Sequence, residues 1–192
     1  MHLEAPNGIH FLAPAGLLIP GENGHHGQGG LSERMVRHHL ARVRELLGAA
    51  SELAPEDLTR AVRPGLVILE FEGEEATAAD LSERLVYMLE VWIAAIEGME
   101  IPPRGRPGLN ERFEVAAARF ERIARSIRDR GAWDDAFVDA LCEPPQSFTF
   151  GGVLSHVLTY GAIRREHLAG VLNELGAGPL SSGDPIEWES RG

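Results

Sequence analysis

Residues 149–176 read TFGGVLSHVLTYGAIRREHLAGVLNELG, and this stretch decides the fold. Val153, Val157, Tyr160, Arg164, Leu168, Val171 and Leu175 recur at spacings of three and four, which predicts one long amphipathic helix with those residues along its buried stripe. His156, Ile163 and His167 fall one residue over on the same broad face. Thr149 is the expected N-cap, and Gly176 stands where a helix is expected to have just ended. A stripe that serves packing alone does not ordinarily carry two histidines, a tyrosine and an arginine. The functional face of the protein is therefore expected here.

Working outward, three more helices of similar length follow from the same periodicity. One runs from Leu31 or Ser32 to about Leu53, with Val36, His39, Leu40, Val43, Leu46, Leu47 and Ala50 inward and His38 at the edge. Another is bracketed by Thr77, with Asp80 three residues on as an approximate capping box, and by Gly98. Its inner stripe is Leu81, Leu85, Met88, Trp92 and Ile96, flanked by Arg84 and Tyr87. The third is capped by Asn110 and stopped by Gly131, with Phe113, Ala116, Phe120, Ile123 and Ile127 buried. Between helices, 54–76 holds too many Pro and Gly for a long helix. Leu66–Phe71 reads as a short extended segment, and Glu70, Glu72, Glu74 and Glu75 as a solvated loop, with oxygen ligation of a metal as the alternative. Extended structure is expected from Phe137, ahead of Pro144 and Pro145.

These elements predict an all-α protein: a four-helix bundle over 31–176, with long connections and an irregular N-terminal arm at 1–30. The turn-rich tail at 177–192 is expected to pack back onto the bundle through Ile186 and Trp188. His25 and His26 lie in a Gly-rich stretch of the arm and read as an exposed loop, with a metal or active-site role as the alternative.

Composition narrows the partners. With a net charge of −11 the chain has no basic footprint for nucleic acid or an anionic membrane surface. Its one local run of arginines, Arg119 to Arg130, is interrupted by acids and reads as a solvated helix face. Cys142 is the only cysteine, so no internal disulfide forms, which fits a reducing cytosol. It reads as a small buried hydrophobe rather than a catalytic thiol. The first arginine is Arg34 and Pro14 and Pro20 interrupt the apolar run before it, which does not fit a signal peptide. No run of about 18 apolar residues suggests a membrane-spanning helix. The expected location is cytoplasmic.

Two segments resemble the DinB-like superfamily, the damage-inducible four-helix bundles that include thiol-dependent transferases. SERLVYMLEVWIAAIEG (82–98) is similar to that family's second helix, and SHVLTYGAIRREHLAGVLNELG (155–176) to its fourth. The resemblance spans about Leu31 to Gly176 and implies the bundle fold, a homodimer, and a divalent metal such as Zn or Ni. In the family one histidine from the second helix and two, four residues apart, from the fourth hold that ion. The matching positions here are Arg84, Tyr160 and Arg164. None is a usual ligand, and two are cations that would repel the ion.

Three readings of the inner face follow. A relocated metal site would use His39 and His156, with His38 or a Glu as third ligand. His167 is about 16 Å along the helix from His156 and cannot share its ion. Such a site would support metal-assisted transfer or hydrolysis. Alternatively, Arg84 and Arg164, with Tyr160 between them, form a metal-free pocket for a small anionic ligand. In the third reading these polar residues are structural, the arginines paired with glutamates, and the protein is a dimeric scaffold. No Ser-His-Asp triad, P-loop or Rossmann glycine pattern is present.

Overall fold

A computed structural model describes residues 30–139 and 144–191. The N-terminal stretch with His25 and His26, the apolar segment Ile9–Ile19, and Cys142 lie outside the described residues. Within them the protein is all-α, built on four long helices: α1 (Leu31–Ser51), α3 (Ala78–Glu97), α4 (Leu109–Asp129) and α5 (Phe150–Glu174). Two short helices, α2 (Pro55–Leu58) and α6 (Pro185–Ser190), and one antiparallel hairpin, β1 (Ala136–Asp139) with β2 (Gln146–Thr149), complete it.

Local chemistry sets the ends. Thr77 and Asp80 form a reciprocal capping box, with the Asp80 amide donating to Thr77 Oγ1 at 3.0 Å. Gly98 closes α3 in the left-handed region at φ 64°. Thr149 Oγ1 accepts from the Gly152 amide at 3.0 Å and starts α5. The cap of α4 differs from expectation: Gly108, at φ 75°, takes the N-cap position without any side-chain hydrogen bond, and Asn110 lies inside the helix. A glycine bends the chain there where the preceding Pro-rich loop turns into the helix.

α1 and α3 each pack chiefly on α4 and α5, closing a ring in the order α1, α4, α3, α5. Connection lengths follow from this ring. α3 and α4 are neighbours and need only 98–108, whereas α1 to α3 and α4 to α5 cross the diagonal and take 52–77 and 130–149. The core is aliphatic and aromatic, with Leu46, Leu81, Leu85, Leu89, Leu168 and Leu172 all fully buried. Each contributes roughly 1.5–3 kcal/mol by leaving water. The expected α1 stripe is buried throughout.

Several expectations shift. In α5 the buried set runs through Gly161, Arg165, Ala169 and Leu172 as well as Val153, Val157, Arg164, Leu168 and Val171, while Tyr160 and Leu175 are half-buried and Ile163 is exposed. A helix wedged between α1 and α3 buries two stripes, not one. In α3, Leu89 and Ile93 are deeper than Trp92 and Ile96 for the same reason. The segment 66–71 forms no strand; Val67 makes a single bridge to Glu74, and Glu70–Glu72 is a 3-10 turn. The acidic loop is not wholly solvated, since Glu75 is fully buried. The arginines of α4 pair with acids, Arg128 with Glu33 and Asp129, and Arg119 with Glu97. No helix among the described residues is long and apolar enough to cross a membrane.

Candidate functional site

α5 carries two adjacent buried arginines, about 100° apart around the helix. Arg164 turns towards α3 and the loop before it. Its Nε donates to both oxygens of Glu75 at 3.1 and 3.0 Å, and Nη2 donates to Glu75 at 3.0 Å and to Glu72. Nη1 reaches Met88 Sδ at 3.4 Å. Arg164 and Glu75 are both 0% exposed, so this is an ion pair closed off from water. Burial lowers the guanidinium to about 10, still protonated at neutral pH. Burial pushes the Glu75 carboxyl up to about 7 against the pull of Arg84 and Arg104. Three N–H contacts from Arg164 favour its charged form.

Arg84 is buried alongside on α3. Burial and the nearby Arg104 lower its pKa, while Glu75 and Asp80 raise it; its Nε has no hydrogen-bond partner among the described residues. Tyr160 is half-buried, and its ring lies 4.7 Å from that of His156. Trp92 meets His156 edge-on at 5.3 Å and Phe148 at 5.7 Å. The three positions matching the family's ligands thus hold no donor set for a divalent cation. Two are buried cations, and one of these is already neutralised by the chain's own carboxylates.

Arg165 turns to the other side of α5, towards α1. It is 8% exposed, and its Nε donates to the Gly161 carbonyl at 3.3 Å. Its Nη1 is buried and has no partner among the described residues. Burial lowers this guanidinium to about 10. Beside it His39, 1% exposed, has no partner at either ring nitrogen among the described residues. Burial, with help from the Arg165 charge, takes His39 down to about 3, so it is neutral. Gly161 makes this contact: a Cβ there would overlap the His39 ring, 3.1 Å from Nδ1 and closer to Cε1. The missing side chain lets α1 and α5 approach at this level.

These two unsatisfied groups border a cavity of about 510 Å³ between α1, α5 and α6. Its far wall is the C-terminal segment, held by polar bonds. Glu45 accepts from the Ser181 amide at 2.6 Å and its hydroxyl at 2.7 Å, and Arg42 Nη1 donates to Ser181 Oγ at 3.0 Å. His38 Nε2 donates to the Gly183 carbonyl at 3.0 Å, a partner that only accepts, and its ring meets Trp188 edge-on at 5.6 Å. Burial lowers the pKa of His38. Asp184 caps α6 by accepting from the Ile186 amide at 2.9 Å. The tail therefore packs on α1 through Trp188 but not through Ile186, which is 77% exposed at the cavity rim.

No protein-family model matches the chain, and no curated protein does either.

The structure does not bring together the histidines expected to share a metal. His39 lies against Gly161 on the α1 side of α5, whereas His156 lies between Tyr160 and Trp92, five residues and about 140° around the helix. His38 is spent on Gly183. Among the described residues no three His, Cys, Asp or Glu side chains gather as an ion's ligands would. Arg84, Tyr160 and Arg164 do share one region of the α3–α5 side, but Arg164 is capped there by Glu72 and Glu75. Arg165 was missed by the periodicity, because Arg164 fits the apolar stripe and its neighbour does not. The available signal was Gly161, four residues before Arg165: a small residue on a helix face marks close approach of another helix.

Proposed function

We propose that this protein is a metal-independent binder of small organic anions, a bundle of DinB-like type whose ligand site lies between α1, α5 and α6. The observation that supports this most is the buried Arg165 guanidinium, whose Nη1 has no partner among the described residues, beside the His39 ring at the edge of a ligand-sized cavity. A buried cation without a partner is destabilising unless something supplies the missing charge. A bound anion would supply it. The Arg84/Arg164 position is the weaker anion site, since Glu72 and Glu75 already fill that role for Arg164.

The divalent-metal transferase or hydrolase implied by the resemblance has less support, because the residues at the family's ligand positions do not fit a Zn or Ni ion. No catalytic role is assigned to any residue. Cytoplasmic residence, which rests on the single cysteine, and a homodimer, which rests on the resemblance, belong to the same proposal; light scattering on the purified chain checks the dimer.

Thermal-shift screening with small organic acids tests the binding function. Stabilisation of the wild type by at least one acid, lost in Arg165→Met and retained in Arg84→Met, is the expected result. Absence of stabilisation by every acid, or equal stabilisation of Arg165→Met, would refute it.

A further inference from the structure

The cavity between α1, α5 and α6 also carries information about the body of its ligand. Its charges nearly all cancel. Arg34 pairs with Glu189 at 3.4 Å, Arg42 beside it pairs with Glu45 at 2.8 Å, and His38 is bound to a carbonyl. His39 is neutral at physiological pH. Arg165 is the one buried cation at the cavity with no carboxylate in ion-pair contact among the described residues, although the charge of Glu166 acts on it. Its Nε is occupied by the Gly161 carbonyl, which leaves the terminal nitrogens of a single guanidinium. One charge calls for a monoanion; a dianion would bring a second charge into a largely apolar site with no second unpaired cation among the described residues.

The remaining lining is apolar. Leu158 and Ala162 come from α5, Leu31 and Met35 from α1, and Pro185, Ile186 and Trp188 from the tail. Leu31, Met35 and Ile186 are 67%, 46% and 77% exposed, three large hydrophobic side chains standing open around one cavity mouth. Isolated exposed hydrophobics are ordinary, but a group of them rimming a cavity with a buried cation at its base marks a place for an apolar body.

We propose that this cavity takes a medium-length amphipathic monocarboxylate, an alkyl or arylalkyl acid. Its carboxylate meets the Arg165 guanidinium, and its apolar chain lies against Leu158, Trp188, Leu31 and Met35. This rests on the anion-binding function proposed above and specifies the ligand class for the same site. Each methylene buried along the lining contributes roughly 0.8 kcal/mol, equivalent to about a fourfold gain in affinity, until the chain reaches the open rim.

Isothermal titration of the full chain tests it, using acetate, hexanoate, octanoate, decanoate, 1-octanol and inorganic phosphate as probes. Octanoate is expected to bind one per chain, with affinity rising about threefold to fourfold per methylene from hexanoate to decanoate. Arg165→Met should weaken octanoate at least tenfold and leave the weak binding of 1-octanol unchanged. Trp188→Ala should weaken octanoate while acetate is unaffected. Acetate or phosphate binding as tightly as octanoate would overturn the ligand class and leave anion binding standing. Binding of none of the acids would overturn both. Octanoate binding at several sites per chain, or equally to Arg165→Met, would show surfactant adsorption and also overturn the proposal. Far-ultraviolet circular dichroism confirms that each variant is folded, and Arg165→Lys, which keeps the charge, should retain part of the octanoate affinity.

Discussion

Arg164 and Arg165 are consecutive residues of one helix, both buried, and they have opposite surroundings. Arg164 is enclosed by Glu72, Glu75 and Met88, with every nitrogen engaged. Arg165 gives Nε to a backbone carbonyl, and its buried Nη1 has no acceptor among the described residues. The first is a complete interaction that holds the 70–75 loop to α5. The second lacks a partner among the described residues. The difference shows that burial of a charge does not by itself distinguish a structural site from a binding site; the state of its hydrogen bonds does.

The largest expected effect comes from breaking the closed side. Glu75→Gln removes the buried carboxylate's charge and leaves Arg164 with Glu72 alone, which should cost on the order of 3–5 kcal/mol. Calorimetry should then show Tm lower by about 10 °C. Replacing the pair together, Glu75→Leu with Arg164→Met, should recover most of that loss, because an apolar pair carries no desolvation penalty. A Glu75→Gln protein as stable as the wild type would mean that the pair contributes little.

The open side makes stability depend on acid. His39 has a folded pKa of about 3, against 6.5 for the free side chain, so between those values the unfolded state binds the extra proton. Its contribution is fully present above pH 6.5 and is lost as pH falls towards 3, at up to about 1.4 kcal/mol per pH unit. Urea unfolding at pH 7.5 and pH 5 should show roughly 2 kcal/mol less acid destabilisation in His39→Leu than in the wild type. Equal slopes in the two proteins would place the acid sensitivity elsewhere.

Gly161→Ala should destabilise by about 1–3 kcal/mol, because the new methyl overlaps the His39 ring between two packed helices. Thr77→Ala should cost about 1 kcal/mol through the lost cap. Without ligand, Arg165→Met should change stability least, by less than about 1 kcal/mol in either direction, since the guanidinium it removes has a buried N–H with no acceptor among the described residues. Chemical denaturation ranks all three, and a loss in Arg165→Met comparable to that in Glu75→Gln would erase the distinction between the two sides.

Much of the fold was legible because its signals are local. Thr77 with Asp80, Gly98 and Thr149 mark helix ends within a few residues, and the α1 stripe is continuous in sequence. The inward turn of Glu75 was not legible, because a carboxylate in an acidic loop reads as solvated unless its partner is known, and Arg164 is 89 residues away. The cavity was hidden for the same reason. It depends on Gly161 meeting His39 across two helices and on Ser181 binding Glu45, contacts that periodicity does not encode. Periodicity did place His39 inward; it did not show that Arg165, rather than His156, would stand beside it.

Nitrogen-15 NMR of the arginine side chains during titration with octanoate follows both guanidiniums in one experiment. Saturating octanoate should shift the Arg165 signals and leave those of Arg164 in place. Movement of the Arg164 signals with Arg165 unchanged would contradict the assignment of the open and closed sides.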